Sequence, residues 1–263
     1  MITITKIQKN VYVLKDRAEC CANLVVGEEK ALLFDTGSGI DDMYGAVRSI
    51  TSFPLIVVNS HGHFDHIGGN EQFDKVYLSE KDFSILEGYQ KDLLNKWRKE
   101  IAQGEEFPLF QQEPVRWKSI HRLDWEAVEL GNMRCLAVPL EGHTRGSVGI
   151  WIPSLRLLLS GDALTPVMCL NFQNHMSVED QYRMLKRVQS MEFDYYLTSH
   201  HISKFPKKML KRMVQCMEHS REGKYYAYQY PRPPYAKGWI YLDSMEEEPV
   251  AVIVSEEERA GGK

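Results

Sequence analysis

Short apolar runs bounded by turn residues open the chain, and stretches with helical apolar spacing are interleaved with them further on. Residues 2–14 alternate loosely, with Ile7, Val11 and Val13 apolar, and predict one edge strand. Residues 22–26 and 30–34 predict two more strands around a Gly27-Glu28-Glu29 turn. A helix is expected over 41–52, with Asp41 or Asp42 at its start. The β-branched run Leu55-Ile56-Val57-Val58, set off by Pro54, predicts a buried strand through Ser60. A short helix follows Ile67-Gly68-Gly69-Asn70, then a strand at 76–78. A long helix is expected over 79–102, with Glu80 and Asp82 in its first turn, where acidic side chains suit the helix dipole.

The second part repeats this order. Residues 120–140 predict short strands, the last over 133–140, and 148–152 and 155–160 predict two more. Ser177-Val178-Glu179-Asp180 is a helix start resembling a capping box, with Val178, Tyr182, Leu185 and Val188 as the buried stripe. A strand at 195–198 precedes a basic helix over 205–220. Residues 225–235, rich in Tyr and Pro, read as a loop, and 239–242 and 250–254 as short strands. Strands precede helices in both halves, which predicts an α/β fold with sheet packed on sheet and helices outside. No repeat or linker divides the chain, so one domain over 1–263 is expected. Residues 80–119 are its longest departure from a compact plan. Phe107, Phe110 and Trp117 stand there among glycine and prolines, and are expected to wall the active site.

The bulk numbers narrow the picture. Hydrophobic residues make up 43% and charged residues 26% of 263 positions, ordinary for a globular protein. The net charge of −4 offers no electrostatic footprint for nucleic acid. No apolar run reaches the ~18 residues of a membrane span, and the first ten residues lack the features of a signal peptide. Five cysteines without paired spacing argue against a disulfide framework, and a reducing cytoplasm is expected.

The candidate chemistry gathers at strand ends. His61-Gly62-His63-Phe64-Asp65-His66 follows the strand at 55–60. His143 lies in Gly142-His143-Thr144, Asp162 follows Gly161, and His200 follows Ser199. Imidazoles and carboxylates are the usual ligands of zinc and similar divalent cations. His61 and His63 can converge on one cation while Asp65 and His66 point to a second. Glycine at 62 would let the backbone bend sharply. The bland alternative for the hexapeptide is a polar surface turn.

The order His-x-His-x-Asp-His, then a lone His, an Asp and a His, with Asp35-Thr36-Gly37 before them, resembles the metallo-β-lactamase-fold hydrolases over about residues 10–205. The resemblance implies an αββα four-layer sandwich of two mixed sheets, with a two-metal site at one sheet edge. It implies that His61, His63 and His143 hold one metal, and Asp65, His66 and His200 the second. Asp162 would bridge them, and Asp35 would fix a ligand imidazole. Asp65 could also orient the hydroxide or return a proton to the leaving group. His200 rather than His201 is taken as the ligand.

Departures from the family pattern sharpen the reading. Arg145 stands where many members have proline. Thr165 stands where lactonases that open acyl-homoserine lactones carry tyrosine. Asp162 argues against a true β-lactamase, and His63 against the diiron flavoproteins. The expected activity is hydrolysis of a small ester-like substrate, a thioester or lactone first, with two divalent metal ions, zinc before iron or manganese. A phosphodiesterase, a mononuclear iron persulfide dioxygenase and a metal-binding protein without turnover are the alternatives. The expected partner is a small molecule rather than nucleic acid or membrane. The oligomeric state is left open, a homodimer included.

Overall fold

A computed structural model describes residues 1–88, 100, 120–231, 236–244 and 248–261. The first sheet has seven strands in the order β1 (Thr3–Gln8), β2 (Val11–Lys15), β3 (Cys21–Val26), β4 (Ala31–Phe34), β5 (Leu55–Val58), β6 (Val76–Leu78) and β7 (Ile120–Arg122). Its pairing is antiparallel up to β4 and parallel from there on. Helix α1 (Met43–Ile50) makes the crossover from β4 to β5; α2 (Phe64–Ile67) follows β5, and α3 (Phe83–Gly88) follows β6.

The second sheet contains β8 (Ala127–Glu129), β9 (Arg134–Pro139), β10 (Val148–Ile152), β11 (Leu157–Gly161), β13 (Tyr195–Thr198) and β14 (Phe205–Pro206). It too is mixed, with β11 and β13 parallel. A third sheet joins β12 (Val167–Leu170), β17 (Val250–Val254), β16 (Lys237–Ser244) and β15 (Tyr226–Gln229). Helices α4 (Val178–Gln189), α5 (Met209–Ser220) and α6 (Glu256–Gly261) follow in the second half of the chain.

The period of two along each strand builds the layers. Leu32 and Phe34 face Ile150, Ile152, Leu157 and Leu159 in the core between the first two sheets. Their neighbours Ala31 and Leu33 pack outward with Met43 and Val47 of α1. On the other side Leu158 joins Leu185, Val188, Leu210 and Met213 of α4 and α5, with Val250, Val252 and Val254 of the third sheet. The mixed sheets flanked by helices are those expected of an αββα sandwich.

Several elements differ from the expectation. The single edge strand over 2–14 is a hairpin, turned at Asn10 with φ of 67°, a left-handed conformation that Asn tolerates. The 205–220 helix starts at Met209, because Phe205 and Pro206 pair with Tyr196 and Tyr195 at the sheet edge, where proline is accepted. The loop expected at 225–235 begins as β15, and β12 was not anticipated. Of the two aspartates expected at the start of α1, Asp42 is the cap, accepting from the Gly45 N–H at 2.7 Å. Ser177 caps α4 as expected. Phe107, Phe110, Trp117 and most of the 80–119 segment lie outside the described residues.

Candidate metal centre

The first two sheets touch at the ends of β5 and β11. A Cβ on Gly161, whose φ is +55°, would lie 2.4 Å from the Ser60 Cβ, so only glycine permits this approach. Asp35, just past β4, ties the strand ends together. Its carboxylate accepts from the Ser60 N–H at 2.6 Å, the Ser60 hydroxyl at 2.9 Å and the Ser199 hydroxyl at 2.7 Å.

Two donor clusters open from this seam. In the first, His61 Nε2 lies 2.9 Å from His63 Nδ1, which lies 3.0 Å from His143 Nε2. The far side of each ring identifies its tautomer. His63 Nε2 faces the Gln173 carbonyl at 3.0 Å and His143 Nδ1 the Cys169 carbonyl at 2.7 Å, so both donate there. The Ser60 hydroxyl donates to Asp35, so His61 Nδ1, 2.9 Å from it, donates to Ser60. The three inward nitrogens are therefore lone pairs facing one another, an arrangement that asks for a cation.

In the second cluster, His66 Nδ1 is 2.9 Å from Asp35 Oδ2 and its Nε2 turns to Asp65 Oδ2 at 3.5 Å and Asp162 Oδ2 at 3.4 Å. His200 Nε2 lies 3.2 Å from Asp162 Oδ2 and 3.5 Å from Asp65 Oδ2. Asp162 Oδ2 is also 3.8 Å from His143 Nε2, so this carboxylate stands between the clusters. His66 Nε2 and Asp162 Oδ1 are buried without a hydrogen-bond partner. Orphaned polar atoms of this kind are costly unless a ligand completes them, and their identities fit a divalent cation. All seven residues named from the sequence are thus brought together. Gly62 is not in the left-handed region; its N–H instead donates to Asp82 at 2.9 Å.

Protons and cations compete for these sites. Burial keeps His61 and His63 below the ordinary imidazole value and brings His143 down to about 4. Burial also opposes charge on His66 and His200, but the surrounding carboxylates prevail, raising His66 and taking His200 to about 9. Asp162 and Asp65 resist burial in turn and stay ionised through these imidazoles. The carboxylate-rich cluster thus draws positive charge, which protons supply when no metal does.

Stripped of metal, the protein should lose stability on both sides of neutrality. His143 folds with a value of about 4 against ~6.5 unfolded. Between these values the unfolded chain binds the extra proton, so acidification destabilises the fold, on the order of 3 kcal/mol. His200 contributes stability that is complete below its unfolded value and is lost as pH rises through about 9. Its side chain is 36% exposed, so solvent weakens that term. Melting curves of chelator-treated protein across pH test this; an unchanged midpoint down to about pH 4 would contradict it.

Two residues near the clusters escaped the sequence reading. Asp82, expected on a helix start, is fully buried and grips both histidine loops. It accepts from Gly62 N–H, the Thr144 hydroxyl at 2.8 Å, Gly146 N–H at 2.8 Å and the Asn174 amide at 2.7 Å. Cys20 lies beside Asp65 and His200. Elsewhere, His201 turns away, with Nδ1 2.9 Å from the Thr198 hydroxyl and its ring against Phe205. His175 lies 3.0 Å from the Met176 carbonyl. Thr165 is bonded to the Asp162 carbonyl at 3.0 Å, leaving no phenol at that position.

This placement predicts different fates for the adjacent histidines. His200→Ala should weaken the second cluster's hold on metal, and His201→Ala should leave it intact. Metal content of the two purified variants checks this; the reverse pattern would contradict the assignment.

The fold and this donor set fit a metal-dependent hydrolase. The profile of the Metallo-beta-lactamase superfamily matches residues 19–200, and the chain belongs to that superfamily. It is 24% identical over 200 residues to the acyl-coenzyme A thioesterase MBLAC2 of Homo sapiens, covering 69% of this chain and 71% of that protein. It is 23% identical over 149 residues to the probable metallo-hydrolase YqgX of Bacillus subtilis, covering 54% and 65%. Among solved structures, a metallo-beta-lactamase from Pontibacter korlensis superposes with a TM-score of 0.61 at 17% identity, covering 83% of this chain and 99% of that one. The sec-alkylsulfatase Pisa1 from Pseudomonas sp. superposes with a TM-score of 0.62 at 13% identity, covering 84% and 42%. The chain is a metal-dependent hydrolase; among the described residues no helix is long and apolar enough to cross a membrane.

Proposed function

We propose that this enzyme hydrolyses thioesters, with acyl-coenzyme A thioesters as the leading substrates, and works with two zinc ions. The observation that carries the proposal is the pair of adjoining clusters that meet at Asp162. His61, His63 and His143 would hold one cation and Asp65, His66 and His200 the other, with Asp162 between them. Divalent cations in such donor sets lower the pKa of bound water towards neutrality and polarise a carbonyl oxygen.

The protein's own groups supply orientation. Asp35, Ser60 and the carbonyls of Cys169 and Gln173 lock four imidazoles in the tautomers that turn a lone pair inward. Asp65, 23% exposed, stands at the open side and can orient water or pass a proton to the leaving group. A thiol of pKa ~8.5 departs with little protonic help, so one such carboxylate suffices for a thioester. Phe172 places its ring 5.8 Å from that of His63, and Tyr230 lies 5.0 Å beyond it. These rings give an acyl chain an apolar flank.

The relatives named as acyl-coenzyme A thioesterases support the substrate class. Free cysteines throughout suit a reducing compartment such as the cytoplasm. The test is turnover of metal-replete protein on acyl-coenzyme A thioesters of graded length, lactones and phosphodiesters. The highest kcat/KM is expected on a thioester. Preferential cleavage of phosphodiesters, or oxygen uptake on a persulfide with one iron per chain, would overturn the proposal.

A further inference from the structure

The turn between β2 and β3 holds a thiol against the second cluster. Asp16 builds this turn: its N–H donates to the Cys20 carbonyl at 3.0 Å, and its Oδ1 accepts from the Cys20 N–H at 2.9 Å. Glu19, with φ of 65°, closes it. The other Asp16 oxygen holds the Ser38 N–H at 2.8 Å and its hydroxyl at 2.6 Å, in the loop after β4. Next to Cys20, the Cys21 N–H donates to the Ser199 carbonyl at 2.7 Å, in the loop that carries His200. Cys20 is thus pinned between two loops of the centre and is 3% exposed.

Its sulfur, a carboxylate oxygen of Asp65 and a ring nitrogen of His200 all lie within 4.8 Å of one another. The sulfur's own hydrogen bond is a weak one, to the Ala18 carbonyl at 3.8 Å. Independently, His66 Nε2 and Asp162 Oδ1 of the same cluster are buried without a hydrogen-bond partner. These atoms point to a cation beside the thiol.

We propose that Cys20 is a sulfur donor to the cation held by Asp65, His66 and His200. This rests on the metal-centre reading but not on the choice of substrate. When the cation binds, the thiol proton is released to solvent and the thiolate takes its place among the donors. A soft donor ranks zinc and cobalt above magnesium and manganese at this position.

The test is spectroscopic. Chelator-stripped full-length protein is titrated with cobalt(II) to saturation. Sulfur ligation predicts a near-ultraviolet charge-transfer band that grows in with one of the cobalt equivalents. The band should vanish in Cys20→Ser and persist in Cys169→Ser. A saturated wild-type protein without the band overturns the proposal, and so does a band that survives Cys20→Ser. If Cys20→Ser fails to fold, Cys20→Ala is read in its place. Turnover keeps the two readings apart: thioester hydrolysis without the band refutes only the sulfur donor. The band without hydrolysis of any thioester refutes only the substrate class.

Discussion

Asp162→Ala is expected to lower kcat by roughly a thousandfold or more, the equivalent of the several kcal/mol that cation charge stabilisation contributes. Asp162 Oδ2 lies 3.4 Å from His66, 3.2 Å from His200 and 3.8 Å from His143, so one oxygen serves both clusters. Removing it would leave the two proposed cations without the charge that offsets their repulsion, and relaxes the pull that keeps His66 and His200 charged in the metal-free protein. Asp162→Asn separates charge from shape. It keeps the volume, and should lose nearly as much activity. Steady-state kinetics with metal content measured on the same samples check both variants. An asparagine variant with wild-type kcat would contradict the electrostatic role.

Asp82→Ala should cost on the order of 5 kcal/mol of stability and loosen the first cluster selectively. Hydrogen bonds to charged groups contribute about 1.5–3 kcal/mol each, and buried donors left unpaired add a further cost. Asp82 receives Gly62 N–H, between His61 and His63, and Thr144 and Gly146, just past His143. It therefore sets the distance between the histidine loops. The approach is close: a Cβ on Gly146 would lie 2.5 Å from the Asp82 carboxyl carbon. Asp82→Asn should recover part of the loss, since its oxygen can still accept while its amide opposes a backbone donor. Calorimetric melting and chelator competition measure the two effects. A variant with wild-type melting and metal affinity would show that the clamp does not hold the loops.

The difference between these two aspartates shows what a sequence exposes. Asp162 follows a leucine-rich strand and a glycine, and takes its place in an ordered series of strand-end ligands. Asp82 has partners at positions 62, 144, 146 and 174, and by itself resembles an ordinary acidic residue at a helix start. Local patterns reveal residues whose partners share their strand end, and hide those whose partners converge only in three dimensions. The sheets were legible as short apolar runs set off by turn residues, but their inner faces were not: residues 31–34 and 157–159 are apolar throughout, because each strand is buried on both sides. The third sheet was not, because β12 pairs with the distant β17, and tyrosines with nearby prolines masked β15. Cys20 escaped because a cysteine beside another cysteine carries no ligand spacing. Its position depends on Asp16 and Ser199.

On the proposed reading, two clusters joined at Asp162 each hold a divalent cation. Elemental analysis of protein purified after metal-replete expression, followed by graded chelation, tests it most directly. Two equivalents per chain are expected, chiefly zinc, with both falling in Asp162→Ala and the second falling in His200→Ala. A single equivalent that survives His200→Ala, or a single iron, would contradict it.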